Sequence, residues 1–220
     1  MKMKKTIAVL LVLVCLAALF AGCAKKGGSD GEKTADVASA KTVGEALAFA
    51  DSDGESASGM SDSSYIAVFK NGGDYWRVIA SLTEEQTNAV LALDVAADDY
   101  EQQMNALVGA LPVTKVENLS AYMLSADEMK ALAGKTGEEL IADGWTSGSG
   151  YELDEMNFYL EHGPFAYKVT FEAPAQALVN SDDFDVMEEI KPLVVKSVEF
   201  FGLGTSATDA YPADADADVK

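Results

Sequence analysis

Histidine and arginine each occur once in the 220 residues, as His162 and Arg77, and cysteine occurs twice. A Ser-His-Asp triad would have to be built on His162. That residue sits in the turn-like run Glu161-His162-Gly163-Pro164 and reads as a solvated turn residue. No Ser-x-x-Lys pair is present, so penicillin-binding chemistry has no starting point. One histidine and two cysteines are too few for an ordinary transition-metal site. Gly72-Gly73 and Gly148-Ser149-Gly150 are isolated turn or linker glycines, not a phosphate-cradling loop. Basic residues are scarce, 16 against 36 acids, for a formal charge of −20. A nucleic-acid binder needs a basic footprint, and none exists here. The N-terminal apolar run, Ile7–Phe20, has 14 residues, or 18 counted on through Ala24, short of the roughly 20 that cross a bilayer.

That run follows a basic start, Met1-Lys2-Met3-Lys4-Lys5, and leads into Ala21-Gly22-Cys23. This is the layout of an exported chain's signal peptide. Leu19-Phe20-Ala21-Gly22-Cys23 resembles the lipobox of bacterial lipoproteins, with Phe20 where leucine is usual. The resemblance implies that residues 1–22 are removed and that Cys23 becomes a diacylated first residue. It implies a membrane-anchored, lipid-bearing (palmitate-type) protein on the extracytoplasmic face of the cell envelope. Two acyl chains suffice for stable anchoring where one is marginal. An uncleaved N-terminal anchor is the competing reading of the same residues. Cys15 would leave with the signal peptide, so the mature chain would hold no free thiol and no disulfide. Removal also takes Lys2, Lys4 and Lys5 and no acid. The mature charge becomes −23 from the −20 of the whole chain, which an anionic headgroup surface repels.

Residues 23–40 read as the lipidated cysteine and a flexible tether. Seventeen such residues span roughly 20–25 Å r.m.s.. Residues 205–220 end in alternating Ala-Asp and read as an acidic disordered tail. The folded part is expected over 41–204. Thr42 with Glu45 is a capping box opening a helix to about Ala50. The Ser-, Asp- and Gly-rich stretch 51–64 reads as a loop. Tyr65–Lys70 and Tyr75–Leu82 read as strands joined through Asn71-Gly72-Gly73-Asp74. Thr83 with Gln86 caps a long helical region to Ala110, with Asp98-Asp99 as the place for a break. Pro112 ends it, and Val113–Leu119 reads as extended. Ser125 with Glu128 caps a short helix ending near Gly134.

The series then recurs. Thr136 with Glu139 opens a helix that Gly144 closes. Tyr151–Glu161 and Phe165–Glu172 read as strands, 182–190 as a helix and Leu193–Phe201 as a strand. The expected fold class is therefore α+β: antiparallel sheet with helices on one side, built from two α-β-β-α-β repeats at 41–122 and 135–203. Gly72 to Trp76-Arg77-Val78 aligns without a gap on Gly163 to Tyr167-Lys168-Val169.

Carboxylates are abundant, but no pair stands out for glycoside hydrolysis, which needs two acids at a set separation. Asp51-Ser52-Asp53-Gly54-Glu55 resembles the start of a calcium loop. Its glycine comes too early, and its twelfth residue is Asp62 rather than glutamate. This run and Asp182-Asp183-Phe184-Asp185 read as solvated acidic loops. The expected site is a sheet face left open by one-sided helices, carrying Tyr75, Arg77, Tyr159 and Lys168. Tyrosine and arginine are favoured in binding hot spots. No catalytic residue, metal ligand or cofactor is assigned. The function expected is a non-catalytic envelope module that binds a protein or peptide. A small-ligand or calcium-binding lipoprotein, or a carboxylate-dependent wall hydrolase, are the alternatives.

Overall fold

The computed structural model describes residues 36–61, 63–152, 157–172 and 185–209, with backbone alone at 149–152. The expected signal peptide, Cys23 and most of the expected tether lie outside the described residues, as do Asp62 and 182–184. The fold is α+β. Its described residues divide into two compact units, 36–118 with 208–209, and Leu119–Ala207. Each holds one four-stranded antiparallel sheet with its strands in chain order.

In the first unit, the Thr42 hydroxyl accepts from the Glu45 N–H while Glu45 reaches back to the Thr42 N–H, starting α1 (Val43–Leu47). β1 (Ser56–Met60), β2 (Ser64–Asn71) and β3 (Asp74–Ser81) form a meander. The β2–β3 turn has φ of +60° at Gly72 and +104° at Gly73. A two-residue turn with both central residues at positive φ favours glycine at both. α2 (Glu84–Leu91) and α3 (Tyr100–Gly109) follow, and β4 (Val113–Asn118) pairs with β3. The expected helical break is therefore real and wider than two residues.

Tyr65, Ala67 and Phe69 of β2 and Val78 and Ala80 of β3 alternate onto one face. There they pack with Val43 and Ala46 of α1 and Val108 of α3. Side chains alternate between the two faces as in any strand, but burial does not: Ile66 and Val68 on the opposite face of β2 are buried as well. β1 corrects the expectation of a loop over 51–64. Its Ser-Ala-Ser-Gly-Met sequence has no apolar alternation, and its backbone pairing with β2 makes it a strand. Val37 is buried in the same core, so the tether ends before it rather than at residue 40.

The second unit contains α4 (Ala126–Ala131), α5 (Gly137–Ala142), β5 (Thr146–Glu152), β6 (Asn157–His162), β7 (Phe165–Phe171), α6 (Val186–Ile190) and β8 (Val195–Leu203). The single strand expected over Tyr151–Glu161 is two. The run Gly148-Ser149-Gly150 lies inside β5 at a register shift, not in a linker. A Cβ on Gly148 would sit 2.2 Å from the Tyr159 carbonyl oxygen, so the close backbone approach there excludes a side chain. Thr205–Thr208 is a 3-10 turn with Ala207 fully buried, so the segment expected to be tail begins as ordered chain.

Each unit thus has four strands, one more than expected, but the helices differ: the first runs α-β-β-β-α-α-β and the second α-α-β-β-β-α-β. The correspondence extends to detail. The Val43 N–H donates to Leu111 (3.0 Å) and the Val113 N–H to Lys41 (2.9 Å). Likewise the Gly137 N–H donates to Leu193 (2.9 Å) and the Val195 N–H to Lys135 (2.8 Å). The third and fourth strands slip register at Ile79/Ala80 in one unit and at Thr170/Phe171 in the other.

Candidate functional site

The four residues expected to form an open binding face do not form one. Tyr75 and Arg77 are 4% and 5% exposed. Their cross-strand neighbours, Lys70 and Val68, lie on the same face of the first sheet, and Val68 is fully buried. The Tyr75 hydroxyl donates to Glu55 at 3.0 Å. Arg77 Nε donates to Glu117 at 2.7 Å, and the Lys115 ammonium lies 2.6 Å from the other Glu117 oxygen. A buried cation needs such a partner. These side chains hold strands together. Tyr159 and Lys168 are direct cross-strand partners in the second sheet, as expected, but both are half-buried. Lys168 lies opposite Glu199, and the Tyr159 ring packs 4.5 Å from that of Phe201. Helices on one face did not leave the other face open.

The calcium-like run is also committed elsewhere. Asp51 accepts from the Gly72 N–H (3.1 Å) and Glu55 from Tyr75, while Asp185 caps α6. Among the described residues no cluster of three or more metal-ligating side chains is found.

A different place in the second unit is concave. It begins with a local rule. Gly144, at φ +87°, ends α5 in a Schellman turn. The Trp145 N–H donates to the Leu140 carbonyl (3.1 Å) and the Gly144 N–H to that of Ile141 (3.1 Å). The turn swings Trp145 inward until it is 3% exposed. Its ring lies 5.2 Å from that of His162 at the end of β6 and 5.3 Å from that of Tyr167 on β7.

His162 is therefore half-buried against tryptophan, not a solvated turn residue. Its Nδ1 is enclosed with no hydrogen-bond partner. Tyr167 in turn accepts the Leu124 N–H at 2.9 Å. Its own hydroxyl is held above the ordinary tyrosine range, chiefly by burial.

Trp145 and His162, but not Tyr167, line an open depression of about 430 Å³. Leu124, Leu132 and Trp145 supply apolar wall. Lys135 and Asp143 stand at either end of α5 and meet at 2.7 Å. Glu128 completes the lining. Its carboxylate receives both the hydroxyl (2.6 Å) and the N–H (2.7 Å) of Ser125. Those bonds hold it below the ordinary carboxyl range, with the hydroxyl the larger cause.

No match was found to any family model, curated protein or solved structure. The site must be read on its chemistry alone. The sequence missed it because its residues come from three separate segments, 124–135, 143–145 and 162. The one local signal was Gly144, whose helix-ending role was legible without showing what Trp145 would meet.

Proposed function

We propose that this chain is a lipid-anchored, extracytoplasmic binding protein of the cell envelope, and that its second unit holds the binding site. The anchor reading rests on the lipobox-like Leu19-Phe20-Ala21-Gly22-Cys23. The observation that carries the binding reading is the pocket over Trp145 and His162. The protein or peptide expected on the Tyr75/Arg77 face has no open surface there, so a small molecule in the pocket is the better occupant. The reading is non-catalytic. Two carboxylates line the pocket, which is what a wall hydrolase would need. A general acid, however, requires a raised pKa, and Glu128 is shifted the other way.

The anchor is tested by expressing the chain in a bacterium fed a clickable fatty acid. The expected result is label in the membrane fraction, with Cys23→Ala unlabelled and unprocessed. Cleavage at another position without label would overturn it. The binding half is tested by thermal unfolding across a panel of small molecules. A ligand that binds only the native state raises Tm, and Trp145→Ala is expected to abolish the rise. A rise that survives this change would place binding elsewhere.

A further inference from the structure

The geometry points to a small organic cation as the ligand of this pocket: an amine or quaternary ammonium carried on an apolar or aromatic body. The inference rests on the pocket being a binding site and adds the ligand's class. The body would lie against Leu124, Leu132 and Trp145, which is where apolar surface is gained. The charge is decided at the rim. Besides His162, three ionisable groups line the pocket, Glu128, Asp143 and Lys135. Lys135 is already spent on Asp143.

The carboxylate left over is Glu128, and its two bonds from Ser125 favour the ionised form. An anion would have to separate Lys135 from Asp143 and face Glu128 as well. A cation meets a carboxylate with no competing ammonium. The field of the whole chain, with its formal charge of −20, favours the same sign.

The experiment uses the full chain in a non-ionic detergent and three probes of matched shape: phenethylammonium, 2-phenylethanol and 3-phenylpropionate. Two reporters are built in. His162 is the only histidine, so its imidazole proton resonance is unambiguous. Trp145 is one of two tryptophans, and its emission is isolated by Trp76→Phe. The NMR reporter needs no substitution, so it stands if that variant folds poorly.

Phenethylammonium is expected to move both signals and to bind more tightly than the alcohol, with the carboxylate weakest. Glu128→Gln, which keeps an oxygen for Ser125, should weaken it roughly two- to fivefold, the scale of one exposed charge contact. Lys135→Gln should tighten it by a similar factor, since Asp143 is released. Equal binding of alcohol and ammonium, insensitive to Glu128→Gln, overturns the cation assignment and leaves the pocket. Silence of both reporters to all three probes overturns the pocket as a binding site, and the cation with it.

Discussion

Gly137 offers a test in which sequence similarity and tertiary structure give opposite answers. It is the first residue of α5, where the other unit has Val43, fully buried. By repeat logic a side chain at 137 should be tolerated, and helix propensity favours alanine over glycine by about 1 kcal/mol. The structure opposes this. A Cβ on Gly137 would lie 2.0 Å from the Ile190 carbonyl oxygen and 2.5 Å from its carbon. Backbone must retreat by about 1 Å even to reach the shortest real contacts. The retreat acts on a pinned helix start, where the Gly137 N–H donates to Leu193 (2.9 Å) and the Glu138 N–H to Lys191 (3.1 Å).

Overpacking costs about 1–3 kcal/mol, and two weakened backbone bonds cost about 1 kcal/mol each. Against the propensity gain, Gly137→Ala should lose about 2–4 kcal/mol. Urea unfolding with an unchanged m-value is the assay. Because the obstacle is a carbonyl, with Ile190 Cγ1 only third nearest at 3.1 Å, adding Ile190→Val should not rescue the loss. A Gly137→Ala protein as stable as the parent would refute the reasoning.

Three further outcomes are expected. Tyr167→Phe removes the acceptor of the Leu124 N–H. It should cost about 1 kcal/mol and speed amide exchange at Leu124. Glu161 is buried and receives the Thr205 N–H and hydroxyl, each at 2.9 Å. Glu161→Ala should therefore release the Thr205–Thr208 turn, seen as new proteolytic cleavage there, and cost about 2–3 kcal/mol. Burial lifts the hydroxyls of Tyr65 and Tyr75 above the ordinary 10.0, with Glu55 adding to the effect at Tyr75. Groups raised in the folded state contribute stability that is complete below about pH 10 and is lost as pH rises further. Unfolding free energy should therefore fall above pH 10, and Tyr75→Phe should flatten that fall; an unchanged slope would contradict it.

The elements legible in the sequence were those made by neighbours in the chain. Thr42/Glu45, Thr83/Gln86, Ser125/Glu128 and Thr136/Glu139 each form the capping box their spacing predicts. Gly72-Gly73 forms the expected turn, and the alternation in Phe165–Phe171 gives a strand. β1 and the first part of β5 were not legible. Small residues and glycines make strands only when another strand supplies their hydrogen bonds, and their own composition carries no sign of that pairing.

The site divides in the same way. Composition alone settled the charge and the lone histidine, because these are counts. The N-terminal motif is likewise a string of adjacent residues. Whether a sheet face is open is not local: Tyr75 and Arg77 alternate as an exposed pair would, yet both are buried. Nor is it local that His162 stacks on Trp145, or that Lys135 reaches Asp143 across a six-residue helix. Adjacent residues determine caps, turns and periodicity through short-range hydrogen bonds and sterics. A pocket is decided by which distant segments the core brings together, and only the tertiary structure holds that information.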